Sequence, residues 1–66
     1  MNWISINGDP VFVNHIVNIT PHCTRDVDGK DVEWASINLS NGAWYTVKMT
    51  ATEALIKIIT GGSIDA

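Results

Sequence analysis

The chain has a single cysteine, Cys23, among its 66 residues. No intrachain disulfide can form, so a secreted disulfide framework is excluded and a reducing cytoplasm is the expected compartment. Cations are equally scarce. Four Lys and Arg against seven Asp and Glu leave a net charge of −3. Binding a nucleic acid polymer takes several cations on one face, and no basic run supplies them. The apolar runs are too short to span a bilayer, and no charged segment followed by an apolar one marks a secretory leader. No membrane partner is therefore expected, and the sequons at Asn18 and Asn38 read as chance tripeptides.

Ligand sets for metals and catalytic groupings are missing too. His15, His22 and Cys23 are the soft ligand types. His22 and Cys23 are adjacent, so they point to opposite faces of a strand, and their spacing fits no structural zinc site. Asp26, Asp28, Asp31 and Glu33 surround Gly29 without the order of a calcium loop and read as a solvated hairpin tip. No nucleophile elbow, phosphate loop or carboxylate pair is present, and so small a domain has little room for a cleft. The expectation is a protein without catalytic residues, metal or cofactor.

What the chain does have is punctuation. Asn7-Gly8, Asp28-Gly29 and Asn41-Gly42 are hairpin signals. The first strand is expected over residues 2–6, with a four-residue turn, Asn7 to Pro10, that sets Ile6 against Val11 and Ile4 against Val13. The second strand then runs on through Ile16, Val17 and Ile19 to Pro21. Proline cannot donate to a ladder, so a bend, a bulge or an edge is expected there.

Charge selects the register of the next hairpin. A three-residue turn, Val27-Asp28-Gly29, sets Arg25 opposite Asp31 and Asp26 opposite Lys30, whereas a two-residue turn would oppose Asp26 and Asp31. In the last hairpin a three-residue turn, Ser40-Asn41-Gly42, sorts the side chains cleanly. Leu39, Ala43, Ile37, Tyr45, Ala35 and Val47 share one face. Asn38, Trp44, Ser36, Thr46, Trp34 and Lys48 share the other. A two-residue turn would mix them, and a half-buried sheet requires the separation.

A helix follows. Thr50 and Glu53 have capping-box spacing, Gly61-Gly62 ends the segment, and Ala51, Ala54, Leu55, Ile58 and Ile59 form the expected inward face. Glu53 and Lys57 stand four apart in the favourable order, and Ile56 lies off the stripe. The expected fold is mainly β (α+β): a bent antiparallel meander of four or five strands, open to closure as a small SH3-like barrel, with one C-terminal helix packed on one face. Residues 1–61 form this domain and residues 62–66 a frayed tail.

The aromatic residues stand out. Trp34 and Trp44 fall on the polar face, with His22 opposite Trp34, and Trp3 lies on a face of the first hairpin that would continue this surface. Three roles stay open for these rings: filling the second end of a barrel, a subunit interface, or a site for a ligand or foreign protein.

The pattern Ile4-x-Ile6-Asn7-Gly8, Val11-x-Val13-Asn14, Ile16, Ile19, Ile37-x-Leu39-x-Asn41-Gly42, Val47 and Thr52-Glu53 before an Ile-rich helix resembles small flagellar proteins of the FlbD/SwrD type. The resemblance implies short strands, an Asn-Gly turn before a Val-containing strand and a C-terminal helix, and it admits a flagellar role. The acidic hairpin from Arg25 to Glu33 and the tryptophans depart from that pattern.

A 66-residue domain buries only about 60% of its unfolded surface, and with disulfides and metals set aside the remaining staple is self-association. The functional expectation is a non-catalytic homo-oligomer, an inhibitor or adaptor, that uses Trp34, Trp44, Lys48, His22, Trp3 and Arg25 to assemble or to hold a protein partner. The alternative is an oligomer that sequesters a nucleotide-like signal, as phage counter-defence sponges do, with indoles stacking a base and Arg25, Lys30 or Lys48 meeting a phosphate.

Overall fold

The computed structural model describes residues 3–65. Strands β1 (Trp3–Ile6) and β2 (Asp9–Phe12) form one antiparallel hairpin. A 3-10 turn, Val13–His15, leads to a second antiparallel sheet of β3 (Ile16–Arg25), β4 (Asp31–Leu39) and β5 (Trp44–Val47), in the order β3-β4-β5. Helix α1 (Ala51–Thr60) closes the series. The fold is α+β and mainly β, and its two sheets do not close into a barrel. Asn2, expected in the first strand, lies outside the described residues.

The first hairpin corrects the expected register. Its pairs are Ile6↔Asp9, Ser5↔Pro10, Ile4↔Val11 and Trp3↔Phe12, so the turn is Asn7-Gly8 alone. Asn7 has φ 52° and Gly8 φ 87°, the two positive values a type I′ turn requires. The shift from the expected pairing is two residues, which leaves each side chain on its expected face. Ile4, Ile6 and Val11 are accordingly buried.

The second strand is not continuous either. The turn at Val13–His15 breaks it, and β3 begins a new sheet. Its ladder to β4 runs from Ile16↔Leu39 to Arg25↔Asp31, with a bulge between Ile16 and Asn18. Pro21 stands on this strand at the sheet edge, as a proline must. The Asp26 amide donates to Lys30 O at 3.0 Å, which makes that pair hydrogen-bonded. Counting back in alternation places Pro21↔Ala35 at a non-hydrogen-bonded site, so the proline nitrogen faces the open edge and β4 loses no partner.

The other turns match their expected lengths. Arg25 lies opposite Asp31, and the Asp26 carboxylate accepts from the amides of Asp28 (2.9 Å) and Lys30 (3.0 Å). In the last hairpin, Ala35↔Val47, Ser36↔Thr46, Ile37↔Tyr45 and Asn38↔Trp44 pair as expected, and the Leu39 amide donates to Ala43 O at 2.9 Å. The ladder stops at Val47, so Lys48 does not pair with Trp34.

The core joins Ile4, Ile6 and Val11 of the first hairpin to Ala35, Ile37 and Val47 of the second sheet, and to Ala54 and Ile58 of α1. Thr50 caps the helix by accepting from the Glu53 amide at 3.1 Å. Gly61, at φ 75°, reverses the chain, and the Gly62 amide donates to Lys57 O at 2.9 Å, a Schellman closure. The reversal carries the chain back to β1. Ile64 lies parallel to Ile6, donates its amide to Ser5 O (2.8 Å), accepts from the Asn7 amide (2.7 Å) and is fully buried. Over Gly62 to Asp65 the expected frayed tail is therefore corrected to a docked segment. Ile64 brings a matching amide to the Ser5 carbonyl on the outer edge of β1, a carbonyl to the Asn7 amide just beyond it, and an apolar side chain to the core.

The helix presents less of itself to the core than its pattern suggests. Ala54 and Ile58 are buried, but Leu55 and Ile59 are 47% and 73% exposed. At about 100° per residue, the apolar positions from Ala54 round to Ile56 cover roughly 200° of the helix, twice the stripe one sheet can cover. The distal part of the β3–β4 hairpin projects from the body, with every residue from 21 to 31 exposed. The radius of gyration, 12.1 Å, exceeds the roughly 10.8 Å of a compact domain of this length.

Candidate functional site: an aromatic sheet face and an apolar groove

The face of the second sheet away from α1 carries the first surface. Ladder pairing lays its side chains out in rows: Asn18, Asn38 and Trp44; then Thr20, Ser36 and Thr46; then His22 and Trp34. Two indoles thus flank a floor of small hydroxyl residues. His22, Thr24, Trp34, Ser36, Trp44 and Thr46 line one shallow depression there. Trp44 is 66% exposed. Trp34 is half-buried, and its indole N–H donates to Thr24 Oγ1 at 2.9 Å, which fixes the ring. The Asn38 side-chain amide donates to Asn18 Oδ1 (2.7 Å) and Thr20 Oγ1 (3.2 Å), a bracing of the row that holds Trp44.

The other expected members of this surface lie elsewhere. Arg25 alternates onto the opposite face of β3, with Ile19 and Cys23, and its Nε lies 3.6 Å from Asp31 Oδ1. An odd number of residues from His22 dictates this, since successive strand side chains change sides. Trp3 lines a groove with Ser5, Val13, Ile59 and Gly61 near the end of α1, because the first hairpin forms a separate sheet and does not extend the second. Lys48 sits one residue past the last ladder pair, outside the depression. No Lys or Arg lines it.

The second surface lies on the helix side. Val13, Ile16, Val17, Ile19, Leu55 and Ile59 are among the walls of an open, mainly apolar trough of about 570 Å³ between α1 and β3. Val17 is 65% exposed beside it. Leu55 and Ile59 were expected in the core, so this trough is absent from the sequence reading. The breadth of the apolar arc on the helix was the signal for it.

Potential reactive groups are dispersed. Cys23 shares a face with Glu33 and His22 points to the tryptophan side. His15 is hydrogen-bonded through Nδ1 to Ser40 Oγ at 3.1 Å, with its ring edge-on to Phe12. Tyr45 donates to Asp9 Oδ2 at 3.2 Å and ties β5 to β2. Loss of water around the phenol, then the hydrogen bond and charge of Asp9, hold its pKa above the ordinary 10.0. Among the described residues no helix is long and apolar enough to cross a membrane. In comparisons with known proteins, the chain matches no family model, no curated protein and no solved structure.

Proposed function

We propose that the chain is a non-catalytic binding protein that works as a homo-oligomer and holds a protein partner against its Trp34/Trp44 face, as an inhibitor or adaptor, in the cytoplasm. The observation that carries this reading is Trp44, a tryptophan 66% exposed on a braced sheet face. Large rigid aromatics set among small residues are the side chains that dominate protein interfaces. The separation of Cys23 from His22 across β3 supports the non-catalytic part, since the thiol and that imidazole lie on opposite faces of the strand.

Self-association draws support from surface area. The chain exposes 4521 Å², against about 4,100 Å² for a folded monomer of its mass. The alternative, sequestration of a nucleotide-like signal, draws less. The aromatic depression lacks a cation for a phosphate, and Arg25 is paired with Asp31 on the other face.

The test compares proteins retained by the immobilised wild-type chain and by Trp44→Ala. A partner held by the first and lost from the second supports the reading. Equal retention overturns it. A thermal shift with mono- or cyclic nucleotides, abolished in Trp44→Ala, would replace it with the sequestering alternative.

A further inference from the structure

The hairpin turns differ in one respect that carries chemistry. Asp28-Gly29 and Asn41-Gly42 lie in three-residue turns, where the glycine amide donates back into the hairpin: Gly29 N to Asp26 O and Gly42 N to Leu39 O, both at 3.1 Å. The Asn41 side chain is held as well, its Oδ1 accepting from the Ala43 amide at 2.9 Å. Asn7-Gly8 is a two-residue turn closed by the flanking pair Ile6↔Asp9, which leaves the glycine amide outside the ladder. Among the described residues the Gly8 amide donates no hydrogen bond. Both turn residues are exposed, and the space beside Gly8 is open.

We infer that Asn7 is a self-modification site, a side-chain amide that the Gly8 nitrogen converts through a cyclic imide, and that Asn41, in the same dipeptide, is protected by its turn. The Gly8 nitrogen gives its proton to solvent base and attacks Asn7 Cγ. The new C–N bond closes the imide ring, the bond from Cγ to the side-chain nitrogen breaks, and that nitrogen leaves as ammonia. Water then opens the ring. Opening at Cγ gives aspartate at position 7. Opening at the main-chain carbonyl gives isoaspartate, with the chain continuing through Cγ. Water is consumed and ammonia released, and nothing is oxidised or reduced. A glycine amide that already donates must first give up its hydrogen bond, so turn length decides which nitrogen is available. Glycine also has no Cβ to hinder the attack. Asn14, Asn18 and Asn38 precede His15, Ile19 and Leu39, whose side chains crowd it.

The consequence reaches the core. The Asn7 amide donates to Ile64 O at 2.7 Å, and the Ile64 amide donates to Ser5 O at 2.8 Å. Isoaspartate adds a methylene to the main chain between this clasp and the Ile6↔Asp9 closure. A two-residue turn with φ positive at both positions has no place for an extra main-chain atom. The displaced carboxylate also stands on the same Cα whose amide meets Ile64 O, and it repels that carbonyl. Conversion of Asn7 therefore releases the Ile64 segment. The inference goes beyond the proposed function and uses no residue of the Trp34/Trp44 face.

The test ages the full chain in mildly alkaline buffer, folded and in urea. Peptide mass spectrometry and enzymatic methylation of isoaspartyl groups map the conversion. In the folded chain position 7 is expected to convert about tenfold faster than position 41, the protection that one hydrogen bond gives. In urea the two rates should converge. Asn7→Gly suits a positive φ and removes the reacting amide, so its position 7 should stay unmodified. Aged wild type, but not aged Asn7→Gly, should show faster hydrogen exchange at the Ile64 amide. If Asn7→Gly does not fold, converted and unconverted wild type, separated by charge, give the same comparison.

Equal rates at positions 7 and 41 in the folded chain overturn the inference. So does a rate ratio that persists in urea, which would place the cause in the local sequence and not in the turn. A converted chain whose Ile64 amide exchanges as slowly as in fresh protein overturns the release of the segment.

Discussion

Ile64 lies parallel to Ile6, and both side chains are fully buried. The contact makes the residues after the helix part of the core. In a domain with so few buried side chains, each carries a large share of the stability. A fully buried isoleucine contributes about 1.5–3 kcal/mol by burial alone, and truncating it adds a cavity term. Ile64→Ala is expected to lower the unfolding free energy by about 2–4 kcal/mol in a urea titration. A change below about 0.5 kcal/mol would mean that the segment does not dock.

The acidic hairpin offers a contrast between two aspartates. Asp26 accepts two backbone amides, at 2.9 and 3.0 Å, and so defines the turn. Asp31 has only an exposed pair with Arg25 at 3.6 Å. Asp26→Ala should cost about 1–2 kcal/mol, read by thermal unfolding, while Asp31→Asn should stay within about 0.5 kcal/mol. The reverse ranking would show that the ion pair, not the turn, organises the arm.

Tyr45 gives a pH signature. It is the single tyrosine of the chain, so phenolate absorbance reports it alone. Its pKa is raised in the folded state by desolvation and by Asp9. The neutral phenol is therefore the form the fold favours. The corresponding stability is present below the ordinary value of 10.0 and is lost as pH rises through the folded value. A spectrophotometric titration should find a midpoint above 10.0, and Asp9→Asn should move it down. A midpoint unchanged by Asp9→Asn would mean that the clasp between β5 and β2 is not formed in solution.

Much of the architecture was legible where local chemistry had one solution. Charge opposition chose the Arg25–Asp31 register, and face separation chose the pairing of Ile37 with Tyr45. The first hairpin was misread by two residues because Pro10 looked like a turn residue. It is tolerated in the strand opposite Ser5, where the alternation turns its nitrogen outward. Ile64 was missed for a different reason. A lone apolar residue after two glycines has no periodicity, and its partner is an edge supplied by the far end of the chain. The aromatic surface was half legible. Parity along a strand placed Trp34, Trp44 and His22 together. The same parity excludes Arg25, and only the break at Val13–His15 excludes Trp3.

Pro21 deserves its place on the outer strand for a reason that concerns crowding. The open margin of β3 otherwise offers the donors of Ile19, Cys23 and Arg25 in sequence, an invitation to edge-to-edge growth. An imide nitrogen in the middle of that margin stops a neighbouring chain from zipping onto it. Pro21→Val would leave the ladder to β4 intact and unlock the margin. The expected phenotype is fibre formation at high concentration, detectable by thioflavin fluorescence, from a folded protein whose melting is nearly unchanged. One ring thus keeps an arm that must stay bare from becoming a polymerisation seed.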